Sequence, residues 1–152
     1  MQFLPMLAPL TIMMFSDWKT RTVSLVWLVL LFLMAAAGAI LIYGIRTALT
    51  FTAINMSILL IIGLALYAYS LIRKKSLGEL GGVGDAMFFA AITPMSAPEA
   101  YVRKVLAMLV FSLLLWLLLR KRFSLSTIPL VSFCGIPLIC IILFLTIRQW
   151  TI

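Results

Sequence analysis

Charge-free apolar windows constrain this chain more than any motif does. Thr22 to Ile45, Thr47 to Ile72 and Phe123 to Ile147 run for 24, 26 and 25 residues without an Asp, Glu, Lys or Arg. Each exceeds the roughly 20 apolar residues that cross a hydrocarbon core as a helix. The rest of the chain does not dilute this pattern: 65% of the 152 residues are hydrophobic, well above the roughly half found in soluble domains. The expected fold is therefore all-α, a polytopic membrane protein of about six transmembrane helices, organised as one transmembrane domain over residues 1–152.

The basic residues fix an expected orientation. Met1 to Ser16 is apolar and meets its first positive charges at Lys19 and Arg21. A secretory signal has its charge in front, so this run reads as a retained first span. With Lys19 and Arg21 inside, the N-terminus lies outside and Asp17 lies at the inner face. A second span from about Thr22 to Tyr43 leads out to Arg46. A third, from about Phe51 to Ile72, returns to Arg73-Lys74-Lys75 and brings Asp85 to the same face as Asp17.

Downstream, the interval from Ala86 to Pro98 is 13 uncharged residues, which as a helix rises only about 20 Å against a core of about 30 Å. It is either a short span or a re-entrant segment, and charge counting fits both. Six crossings are the expectation, with Val105 to Leu119 (extended by Tyr101 and Val102) and Leu125 to Ile147 as the last two. The formal charge of +8 is explained by the positive-inside bias and by anionic lipid head groups, so nucleic acid is not an expected partner.

Absences sort the chemistry. The chain has no histidine, which removes Ser-His-Asp triads, Cys-His pairs, HExxH zinc sites and histidine-ligated haem. Cys134 and Cys140 lack the spacing of a metal or disulfide framework, and packing is their expected role. No metal and no cofactor is expected. The Gly-rich stretch before Asp85 lacks the third glycine of GxGxxG, and an acid at a helix start repels phosphate.

Only four residues are acidic, Asp17, Glu79, Asp85 and Glu99, and both aspartates border apolar runs. A carboxylate near hydrocarbon ionises reluctantly, and a second one beside it raises one pKa further, so the pair holds one proton. One member then takes a proton from water while the other donates to a scissile carbonyl. Gly82 and Gly84 leave room beside Asp85 for an extended substrate backbone. Two plainer roles compete: Asp85 capping the helix that follows it, and Asp17 pairing with Lys19 or Arg21.

Gly82-Val83-Gly84-Asp85, followed by an apolar helix, resembles the GxGD motif of the type IV prepilin and archaeal preflagellin peptidases. Asp17-Trp18-Lys19-Thr20-Arg21-Thr22-Val23-Ser24 is similar to that family's first aspartate motif, and Ile128-Pro129-Leu130 resembles the start of its closing segment. The resemblance implies six crossings, catalytic aspartates at Asp17 and Asp85 on the cytoplasmic face of the inner membrane, and an aspartic endopeptidase. The implied substrate is a prepilin-like protein, cut between a basic leader and its hydrophobic helix. Ser24 stands where the family has proline, and Met87 where a lysine is common. The CxxC-bearing loop of the methylating members is absent, so peptidase activity alone is expected. Glu79 is a candidate partner for the basic leader. From another class, a proton-coupled transporter or a non-catalytic membrane assembly subunit uses the same acids as proton relays or structural pairs.

Overall fold

A computed structural model describes residues 2–20, 22–73, 82–123 and 129–148. Arg21, Lys74, Lys75, Glu79, Leu125 and Ile128, named above for charge, leader recognition, span bounds or motif roles, lie outside the described residues. The described residues form six α-helices: α1 (Leu7–Thr20), α2 (Leu25–Tyr43), α3 (Ile45–Arg73), α4 (Val83–Ala91), α5 (Pro98–Phe123) and α6 (Leu130–Arg148). Short 3-10 turns, Leu4–Met6 and Thr93–Met95, precede α1 and follow α4.

Four of the helices are long and apolar enough to cross a membrane: α2, α3, α5 over Pro98–Leu119 and α6 over Leu130–Ile147. α1 and α4 have 14 and 9 residues, rises of about 21 and 13 Å. Leu60, Ile61, Leu71, Ile72, Leu113, Leu114 and Leu118 are all exposed, an apolar surface far beyond what a water-soluble monomer carries. The molecule is an all-α membrane protein.

Local chemistry explains where the helices start and stop. Gly44 alone joins α2 to α3. Its φ of 79° lies in the left-handed region that favours glycine, its N–H donates to the Ile40 carbonyl at 2.9 Å, and its own carbonyl accepts from Ala48 at 3.0 Å. One residue thus closes one helix and opens the next, so α3 begins at Ile45 rather than near Phe51. Pro98 opens α5, where its missing N–H would be unpaired in any case, so α5 starts ahead of the expected Tyr101. α6 begins at Leu130, directly after Pro129. α1 continues through Thr20 instead of ending at Ser16, which places Asp17 within its last turn.

α1 and α6 run antiparallel, with Met14 against Gly135 and Asp17 against Ser132. The Tyr101 hydroxyl donates to the Phe89 carbonyl at 3.0 Å, which ties the start of α5 to the end of α4. α5 and α6 are neighbours, with the Cys134 thiol on the Met108 carbonyl at 3.5 Å. Cys134 is a packing residue as expected; Cys140 is exposed.

The core lies among α1, α2, α4, α5 and α6, with Leu10, Met13, Leu31, Phe88, Met108, Leu138 and Ile142 fully buried or nearly so. α3 stands at its edge, burying little beyond Ala48, Asn55 and Ser70. Asn55 ties it in: its side-chain Nδ2 donates to the carbonyls of Thr93 at 2.7 Å and Ser96 at 2.9 Å. Those carbonyls lie in the turn between α4 and α5, where no helix supplies a donor, and water is scarce in a bilayer.

Candidate functional site

Asp17 occupies a core position of its own helix. Met6, Leu10, Met13 and Asp17 form one buried stripe on the N-terminal segment and α1, at the i, i+4, i+7 spacing of a helix face. Only 6% of Asp17 is exposed, so it sits inside the bundle rather than at its rim.

Among the described residues its partner is Ser132 on α6 rather than Lys19, and Arg21 lies outside them. Asp17 Oδ2 accepts the Ser132 backbone N–H at 2.9 Å and lies 2.9 Å from the Ser132 hydroxyl. That hydroxyl also lies 2.8 Å from the Met14 carbonyl. Ser132 is in the first turn of α6, where N–H groups have no partner within the helix. The residue before α6 is Pro129, which has no capping side chain, so an acid from α1 supplies the cap across the bundle. A negative charge at that end also suits the helix dipole. Trp18 and Phe133, with ring centroids 5.9 Å apart, pack beside the same junction.

Asp85 lies at the start of α4, partly buried. Its Oδ2 accepts the Gly82 N–H at 3.1 Å, so the capping role weighed for it is present. The glycines act differently from expectation. Gly82 has φ −76° and ψ 145°, a conformation open to any residue, so it is not there for dihedral freedom. A side chain on Gly84 would touch Val23 at 3.5 Å, an ordinary contact, and the space on that side is filled by protein rather than left for substrate. This contact sets the start of α4 against the α1–α2 connection, a few residues from Asp17.

The two acids sense each other. The Asp85 carboxyl is pushed up from its ordinary value, first by burial and further by the nearby Asp17 charge, while the Gly82 hydrogen bond opposes the rise. Cys134 lies within electrostatic reach of both carboxylates. Because folding raises this pKa, the resulting stability is fully present below the ordinary carboxyl range and is lost as pH rises through the raised value. Asp17→Asn removes the repelling charge and leaves Asp85 as the chain's single aspartate. Its ¹³Cγ signal is expected to titrate at lower pH than in the parent; an unmoved midpoint would mean that the acids do not interact.

Beside this junction, Leu25, Leu28, Val29 and Phe32 of α2, Met56 of α3, and Met87, Ala90 and Ala91 of α4 line an open apolar groove. Among the described residues no group of three or more His, Cys, Asp or Glu side chains is placed to hold a metal ion. Ser132 is the site residue that sequence reasoning missed. It was visible only as a hydroxyl within an apolar run, 115 positions from Asp17. Neither a family model, nor a curated protein, nor a solved structure matches the chain.

Proposed function

We propose that this protein is a multi-pass membrane aspartic endopeptidase of the prepilin type, with Asp17 and Asp85 as its catalytic pair at the cytoplasmic face of the inner membrane. One observation carries the reading: Gly84, next to Asp85, lies against Val23, six residues beyond Asp17, so the chain's two aspartates come to one end of the bundle, where burial and, to a lesser extent, the Asp17 charge push the Asp85 carboxyl up, as in a pair of acids that shares a proton. The bond from Ser132 to Asp17 and the approach of Gly84 to Val23 add support, since they bring the starts of α4 and α6 to the junction of α1 with α2.

The chemistry balances within the pair. One carboxylate takes a proton from water as the water oxygen bonds to the scissile carbonyl carbon, and the other, protonated, gives its proton to the carbonyl oxygen. On collapse, the proton taken from water passes to the leaving nitrogen as the C–N bond breaks. A hydroxyl proton of the new acid returns to the second aspartate, so the pair ends as it began. The substrate would approach through lipid, its hydrophobic helix in the bilayer and its basic leader at the inner surface, where anionic head groups also lie. Purified protein in lipid vesicles, given a peptide with a basic leader joined to an apolar helix, is expected to release the leader by one cut at their junction. An intact peptide after prolonged incubation would reject the reading.

A second reading draws on the hydrogen bonds themselves. Asp17 caps α6 and Asp85 caps α4, which is what a non-catalytic membrane assembly subunit would need from these acids. The two readings part on whether asparagine, which still caps, substitutes for either aspartate.

A further inference from the structure

We infer that Ser132 is a positioning residue that keeps Asp17 the proton-accepting member of the pair, making Asp17 the base and Asp85 the acid; the assignment rests on the peptidase reading above. Both donors of Ser132, its N–H and its hydroxyl, converge on a single oxygen, Asp17 Oδ2, each at 2.9 Å. Two donors aimed at one oxygen hold it in the accepting role, the role of the base. Asp85 accepts only the Gly82 N–H among the described hydrogen bonds.

The hydroxyl has a further property. It has one proton and two acceptors in range, Asp17 Oδ2 at 2.9 Å and the Met14 carbonyl at 2.8 Å. With Asp17 ionised, the hydroxyl donates to Oδ2. After Asp17 has taken a proton from water, Oδ2 donates to Ser132 Oγ, and the hydroxyl turns to the Met14 carbonyl. Asp17 Oδ2 and the Ser132 hydroxyl are satisfied in both states without movement of a heavy atom, so Asp17 can load and unload its proton in a preorganised setting. Ser132 and Asp17 are 5% and 6% exposed, so water does not compete strongly for these positions.

Among the described residues, the titratable groups around Asp17 are Asp85 on α4 and Cys134 on α6, both within electrostatic reach. Lys19 is exposed two positions along α1. α2, also packed on α1, contributes no titratable side chain except Tyr43 at its far end. Ser132 is therefore the neutral group through which the protein addresses Asp17 directly.

The test compares Ser132→Ala and Ser132→Thr in the full-length protein in lipid vesicles, following cleavage of the leader peptide against pH. Ser132→Ala is expected to lower kcat roughly tenfold to a hundredfold, as for a lost hydrogen bond to a charged group, with KM unchanged. The acid limb of its pH profile moves to higher pH, and Ser132→Thr, which keeps the hydroxyl, restores both. A parental profile in Ser132→Ala overturns the inference. A second readout does not need activity: in an Asp85→Asn background Asp17 is the chain's single aspartate, and its ¹³Cγ midpoint moves with the acid limb when Ser132 is changed. An unmoved midpoint also overturns the inference, whereas a moved midpoint in a protein that cleaves nothing rejects the peptidase reading alone. Should Ser132→Ala fail to fold, Ser132→Cys, which keeps the N–H and weakens the side-chain donor, takes both measurements.

Discussion

Asp17→Asn and Asp85→Asn are each expected to reduce leader cleavage by about 10²- to 10⁴-fold, the usual scale for loss of a general acid or base, while the protein stays folded in the membrane. Asparagine separates the two jobs of each side chain. Its amide oxygen still accepts the Ser132 N–H that Asp17 caps, or the Gly82 N–H that Asp85 caps, but it neither takes nor gives a proton at neutral pH. The double variant should be little worse than either single one, because two groups that act as a unit fail together. Asp17→Leu is the contrasting case. It strands the Ser132 N–H and hydroxyl in the bundle interior, at a cost of about 1–3 kcal/mol, and should lower thermal stability where Asp17→Asn does not. Parental cleavage in either asparagine variant would leave only the capping role.

The second large effect concerns the seam between α1 and α6. Gly135 lies one turn beyond Ser132 and faces Met14, one turn before Asp17. A Cβ placed on Gly135 would overlap the Met14 side chain, coming within 2.5 Å of its Cγ, and the sulfur is closer still. Gly135→Val should therefore displace the Met14 side chain or the helix that carries it and destabilise the protein by about 1–3 kcal/mol, the range for overpacked cores. Because the same seam carries the hydrogen bonds from Ser132 to Asp17, cleavage should fall as well. Gly63 on α3 is the control, since nothing lies within 4 Å of a Cβ there. Gly63→Val should change neither stability nor cleavage by a comparable amount. Met14→Ala, which clears the obstruction, should recover much of the loss when combined with Gly135→Val, a coupling expected only of residues in direct contact. Thermal unfolding in detergent together with the leader assay reads all three. Equal behaviour of the Gly135 and Gly63 variants would contradict the close approach.

The two effects differ in how far they were visible beforehand. The aspartates stood out because an acid beside an apolar run needs a reason in a chain with four acidic residues. Gly135 carried no such mark, being one small residue within a long apolar run. Its importance arises from facing Met14, and which face of α6 meets α1 is a matter of helix rotation. Gly82 and Gly84 illustrate the converse. Their place beside Asp85 suggested backbone freedom and open space, yet Gly82 holds an ordinary extended conformation and Gly84 lies against Val23. The one glycine that uses a left-handed conformation is Gly44 among those described, and it sets the boundary between α2 and α3.

The amino-acid order by itself determined that this is an all-α membrane protein, where its long apolar helices lie, and that Asp17 and Asp85 are its unusual acids. Hydrophobicity summed over about 20 neighbouring residues is a local quantity, and the bilayer reads it locally. The tertiary structure alone decided that Asp17 caps α6 through Ser132, that Asn55 clamps the turn before α5, and that Tyr101 ties the start of α5 to the end of α4. Each depends on helix rotation and depth, set by side chains that meet only after the bundle assembles. In an apolar surrounding an unpaired N–H or carbonyl is expensive, so these few long-range hydrogen bonds select one arrangement from many that bury similar apolar surface.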